Sequence, residues 1–120
     1  MSLVTMEIKV REKLREMGYV ISHNIHRDRF LKNLDVCVRF RGAVVAEACF
    51  TDDGDSAYCH HVKVEPEYRR RGIASAMYQY AESIFLKKLE NHWHDDPETQ
   101  SPEARAFWAQ PHRPFGFLSK

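Results

Sequence analysis

Apolar and polar positions alternate over Asp35 to Phe40 and again over Ala43 to Phe50, which predicts two strands joined at Arg41-Gly42 as a tight hairpin. The N-terminal pattern supports two periods. Val4, Met6, Ile8 and Val10 alternate as in a strand, whereas Val10, Leu14 and Met17 are spaced as on one helix face. Taken together they predict a strand followed by a short helix, which Gly18 ends in the left-handed region. Tyr19-Val20-Ile21 is then a short extended piece, and His23 to Asn33 a polar connection. Asp52-Asp53-Gly54-Asp55 forms a second turn, and Ser56 to Val64 is the third strand of an antiparallel meander, ended by Pro66. From Ile73 onward Met77, Tyr80, Ala81 and Ile84 recur at helical spacing. That face is expected on the sheet, and the face with Gln79, Glu82 and Ser83 in water. Lys87 and Lys88 suit the negative end of the helix. A short strand over Leu89 to Trp93, a second helix capped by Ser101 and Pro102, and a last strand at Phe115-Gly116-Phe117 complete the reading. The predicted class is α/β in the α+β sense: a mixed, mostly antiparallel sheet flanked by helices, in a single domain over residues 1–120.

One junction carries chemistry. Val62-Lys63-Val64-Glu65-Pro66 leads through Glu67-Tyr68-Arg69-Arg70-Arg71-Gly72 into the helix that starts at Ile73. The first amides of a helix have no intrahelical acceptor, and the helix dipole favours negative charge beside them, so a strand, a glycine-containing loop and a helix start form an anion cradle. Gly72 allows the backbone to approach a phosphate closely, and Ala74 allows helix and strand to pack closely.

The residues Arg69-x-x-Gly72-x-Ala74, preceded by Val62-x-Val64-x-Pro66, resemble the acyl-CoA-binding motif of the GCN5-related N-acetyltransferase (GNAT) family. Ser101-x-x-Ala104-x-x-Phe107-Trp108 and Gly116-Phe117 occupy the places of a second motif, with Ser101 where asparagine is common and Trp108 where a tyrosine often protonates the departing thiolate. The resemblance runs from about the hairpin to the C-terminus and matches the first third only loosely. It implies an acyl-CoA N-acyltransferase-like fold, with acetyl-CoA as acyl donor. It also implies direct attack by a primary amine of a small molecule or protein in a ternary complex, with no covalent enzyme intermediate and no nucleophile assigned to Cys59. Cofactor contacts are expected at Val62, Val64, Arg69, Arg70, Arg71, Gly72, Ile73, Ala74, Ser75, Ser101 and Phe107. Indole cannot serve as an acid near neutrality, so the rival expectation is a module that binds or senses acyl-CoA without turnover.

Composition narrows the partners. With 18 Lys plus Arg against 17 Asp plus Glu, the formal charge is +1, which gives no basic field for a nucleic-acid backbone. Hydrophobic residues at 43% and charged residues at 29% describe an ordinary globular protein, with no run long enough to span a membrane and no secretion signal. The odd number of cysteines, Cys37, Cys49 and Cys59, argues against a disulfide framework, so a reduced cytoplasmic setting is expected. His92-Trp93-His94-Asp95-Asp96 and Cys59-His60-His61 contain metal-ligand types but lack ligand spacing, and no metal is expected. An uncovered sheet edge would allow a homodimer.

The reaction needs a base, because an amine is mostly protonated near neutral pH and must lose a proton before it attacks a thioester. On a regular third strand, Tyr58, His60 and Val62 would share one face, with Cys59 and His61 on the other. An imidazole's ordinary pKa suits the task, and some members of the family place histidines at these positions, so His60 is the first candidate, with Tyr58 beside it. A bulge would exchange the faces and favour His61. Glu47, acidic within an otherwise apolar strand, is the other candidate base, weighed against an ordinary outward-facing residue. Strand amides near Val62 and Val64 could polarise the thioester oxygen.

Overall fold

The computed structural model describes residues 3–90, with side chains from Thr5 onward. Ser101, Phe107, Trp108, Gly116-Phe117 and the expected strand beyond Glu90 lie outside the described residues. Helix α1 spans Leu3–Glu16, and four antiparallel strands follow: β1 Tyr19–Asp28, β2 Leu31–Phe40, β3 Ala43–Asp52 and β4 Ala57–Val64. A 3-10 turn at Pro66–Tyr68 leads to helix α2, Ile73–Phe85, and then to β5, Leu89–Glu90. The strands lie in sequence order in one sheet, and β5 pairs parallel to β4 at Ala57 and Tyr58. A parallel return needs a crossover, which α2 provides. This is the mixed, mostly antiparallel sheet with helices that the sequence predicts.

Two N-terminal expectations are corrected. Residues 4–10 are helical, not extended. Met6, Val10 and Leu14 are buried at helical spacing, while Ile8, which a strand would place with them, is 58% exposed. Alternation over so few residues fits either period, and packing against α2 decides between them. Gly18 does adopt φ +95°, and a Cβ there would stand 3.0 Å from the Phe40 ring. The polar connection at residues 23–33 is instead the outer half of a long hairpin, in which Tyr19 pairs with Phe40 and Asp28 with Leu31. It reads as polar because its side chains from Asn24 to Phe30 are exposed. At the predicted Arg41-Gly42 turn both residues have positive φ, 53° and 84°, the conformation that suits a two-residue hairpin.

A third correction concerns α2. Gln79, Glu82 and Ser83 are buried, not in water. One flank of α2 packs against α1, and the Glu7 amide donates to Ser83 Oγ at 2.9 Å. Glu82 Oε2 accepts from the Leu89 amide at 2.8 Å, which fixes the start of β5. The sheet side of α2 carries Ile73, Met77 and Ala81 into a core with Leu34, Val36, Val38, Ala48 and Phe50. At its C-terminal end Lys87 Nζ donates to Asp52 Oδ1 at 2.8 Å and to the Gly54 carbonyl at 3.3 Å, tying the helix to the β3–β4 turn.

The helical N-terminus has a direct test. Leu14→Ala is expected to lower stability by about 2–5 kcal/mol and Ile8→Ala by less than about 0.5 kcal/mol, read from urea midpoints. Equal losses would overturn this packing. The Asp52–Lys87 pair predicts a pH dependence. Burial acts to raise the Asp52 carboxyl, but the Lys87 ammonium and the Gly54 amide outweigh it and hold the group below its ordinary value. A carboxylate whose folded pKa is depressed stabilises above its unfolded value, and that stability is lost as pH falls through the folded one. Acid titration of stability from about pH 5 downward should therefore be less steep in Lys87→Met than in the wild-type chain.

Candidate functional site

The β4 strand is irregular where chemistry was expected. Cys49 pairs with His61, but its neighbour Phe50 pairs with Cys59, so His60 is an extra residue without a partner in the β3 register. This is a β-bulge. Before it, Ala57 and Cys59 are buried toward the helices. After it, Val62 and Val64 are the half-buried residues packed on the core. The expectation that His60 and Val62 share a face is therefore corrected: the bulge changes the phase of the strand between them. Nor does His61 share the buried side with Cys59. His60 and His61 are both exposed, and His61 stands opposite Cys49.

Tyr58 and His60 do lie together, with ring centroids 5.0 Å apart in an edge-to-face arrangement. His60 Nε2 is 2.6 Å from Thr51 Oγ1, and that hydroxyl donates to Asn33 Oδ1 at 2.7 Å. Thr51 is 1% exposed. A chain of polar groups thus crosses β2, β3 and β4 and ends on an exposed imidazole. Sequence reasoning missed Thr51 and Asn33. The signal for them was the register: Thr51 faces Asn33 on one side and Tyr58 on the other once both hairpins are fixed. Glu47 is exposed, paired in register with Lys63 and Cys37, and no hydrogen bond joins it to His60 or Tyr58.

The loop after β4 has the geometry of a cradle. Gly72 has φ 84° and Arg70 φ 63°, so two residues of the left-handed region fall within three positions. Gly72 caps α2 without a side-chain bond, and its carbonyl accepts from the Ala76 amide at 2.9 Å. Among the described residues nothing accepts from the backbone amides of Arg70 through Ser75. Such a run of unsatisfied donors at a helix N-terminus suits a diphosphate. Arg69 is extended and its Nε donates to the Val64 carbonyl at 3.0 Å, closing the loop onto the strand end. Arg71 lies over the Tyr68 ring at 5.6 Å, and Tyr68 packs on Phe40 and Tyr19. Ile73 is buried and anchors the first turn, whereas Ala74 and Ser75 are half-buried at its surface. Past Tyr58, the second edge of β4 has no strand partner among the described residues.

The Cys49 and Cys59 thiols are poor nucleophiles. Burial pushes the Cys59 thiol up to about 12, against weaker opposing bonds from Tyr78 and the His61 carbonyl. Cys49 is raised to about 11 by burial and then by its bond to Asp35. All three cysteines are free of disulfides. Among the described residues no three His, Cys, Asp or Glu side chains are grouped to hold a metal ion. Nor is any described helix long and apolar enough to cross a membrane.

Compared with known proteins, the sequence matches the model of the acetyltransferase (GNAT) family over residues 7–117. The match takes in the first third of the chain, beyond the stretch that carries the resemblance by eye. No curated protein and no solved structure matches the chain.

The buried thiol is directly testable. Iodoacetamide at about pH 8 should leave Cys59 unmodified in the folded protein and label it after unfolding, as read by peptide mass spectrometry. Rapid labelling of Cys59 in the native state would contradict its burial.

Proposed function

The chain belongs to the acetyltransferase (GNAT) family, and from that premise we propose that it is an N-acetyltransferase moving an acetyl group from acetyl-CoA to a primary amine. The observation that carries this reading is the loop at residues 70–75, whose amides have no acceptor among the described residues and open on the positive end of α2. These amides, with Arg70 and Arg71, would hold the diphosphate, and Gly72 gives it close access to the backbone. Val62 and Val64, beside the edge of β4 that has no strand partner among the described residues, would lie along the rest of the donor. Ser101 and Phe107 belong to the same proposal. When bound, acetyl-CoA supplies an activated thioester carbonyl.

The chain's own part is proton removal and orientation. His60 is the proposed base, exposed at the bulge and braced by Thr51 and the Tyr58 ring. Glu47 is the second candidate, on the same exposed side of the sheet. An ammonium substrate and the thioester give an amide, a free thiol and one proton: a C–N bond forms, the C–S bond breaks, and the sulfur keeps one of the two protons that nitrogen loses. Cys59 and Cys49 remain protonated thiols near neutral pH, which supports direct attack over a thioester on the enzyme. The acceptor is a small-molecule or protein amine, and the proposed setting is cytoplasmic.

Calorimetric titration should give saturable acetyl-CoA binding, and no binding at millimolar ligand would remove the donor. Thiol release should rise when an amine panel is added. Binding without that rise would favour the non-catalytic acyl-CoA module. His60→Ala should lower kcat/KM by about 100-fold or more and abolish the acid limb of the pH–rate profile, while an unchanged profile would dismiss His60 as the base.

A further inference from the structure

We propose that Thr51 is a positioning residue that holds His60 as the Nε2–H tautomer and so makes Nδ1 the atom that takes the substrate proton. The inference rests on the reading of His60 as base, and deepens it. A threonine hydroxyl has one proton, and here it is donated to Asn33 Oδ1 at 2.7 Å. The contact of 2.6 Å with His60 Nε2 therefore needs its hydrogen from the imidazole. Neutral imidazole carries one N–H, so Nδ1 is left with its lone pair. Among the described residues Nδ1 has no hydrogen-bond partner, and the side chain is exposed.

The arrangement is constrained from both sides. Thr51 is 1% exposed and lies between Asn33 and Tyr58 in the strand register, so its hydroxyl has little choice of partner. The Tyr58 ring meets the imidazole edge-to-face at 5.0 Å and limits its rotation. The bulge supplies the remaining condition, because it turns His60 out of the regular pleat to reach the threonine of the next strand. Both protonation states satisfy this geometry. The imidazolium donates from Nε2 as the neutral ring does, so proton gain and loss take place at Nδ1 with the bond to Thr51 kept. A base that exchanges its proton without breaking its support loses no orientation during turnover.

The test uses the whole chain with 15N-labelled histidine. Two-bond nitrogen–proton correlation spectra at alkaline pH should report the Nε2–H tautomer in the wild-type protein and in Thr51→Ser. Thr51→Val, which keeps shape and removes the hydroxyl, should give mixed tautomers and a kcat lower by about 10-fold, with the KM for acetyl-CoA unchanged. An Nδ1–H tautomer in the wild-type protein would overturn the proposal, since it would mean that Thr51 donates to the ring. The proposal also fails if Thr51→Val changes neither tautomer nor kcat while His60→Ala is inactive, an outcome that leaves the base reading intact. If the tautomer depends on Thr51 but the pH–rate profile ignores His60, the base reading fails and the bond loses its catalytic meaning.

Discussion

A single inserted residue in β4 organises this molecule. Because His60 has no partner in the β3 register, the strand buries Ala57 and Cys59 on one side of the bulge and packs Val62 and Val64 on the other. A regular strand could do one of these, since a period of two would carry the second pair to the opposite face. The bulge thus lets one continuous strand cover the core along its whole length. It also leaves one side chain that belongs to neither pattern. That side chain is an imidazole, and the strand leads directly into the loop with its outward amides.

Electrostatically, the two parts differ in kind. The loop offers fixed partial charges, backbone donors whose direction is set by the left-handed Arg70 and Gly72 and by the Arg69 bond to the strand end. These are held in place by the fold and do not titrate. The bulge offers an exposed imidazole. Three other groups are held protonated: Cys59 by burial, Cys49 by burial and its bond to Asp35, and Tyr80, raised to about 12 by burial despite Arg11. The family provides acetyltransferase-type chemistry, and neither Cys49 nor Cys59 is an ionised thiol near neutral pH.

Much of this was legible in the chain. The Arg41-Gly42 hairpin, the loop at Gly72 and the start of α2 at Ile73 are where turn chemistry and helical period placed them. The failures have definable causes. Four apolar residues at alternate positions, from Val4 to Val10, satisfy a strand and, in part, a helix, and only the contact with α2 selects Met6 and Val10 over Ile8. Gln79, Glu82 and Ser83 look like a water-facing stripe because nothing local announces that α1 will reach Ser83 or that the Leu89 amide will meet Glu82. The His23–Asn33 segment is the outer half of a hairpin held by cross-strand bonds, and its exposed side chains from Asn24 to Phe30 carry no burial signal. At the site, the glycine and arginines were visible as a motif. A bulge was one alternative for β4, but its position and the Thr51–Asn33 support depend on register, which no local pattern states.

The lower end of α2 has a role that reaches its upper end. Lys87 is bound to Asp52 and to the Gly54 carbonyl, and Glu82 to the Leu89 amide, so the helix has a fixed foot on the β3–β4 turn. A helix of 13 residues is a strut of about 20 Å, stiff along its axis. How far the loop at residues 70–75 projects above the sheet is therefore set in part at the opposite pole of the domain. Lengthening or shortening the aspartate-rich turn would change the reach of the loop as altering the footing of a column moves its capital, without touching any residue there.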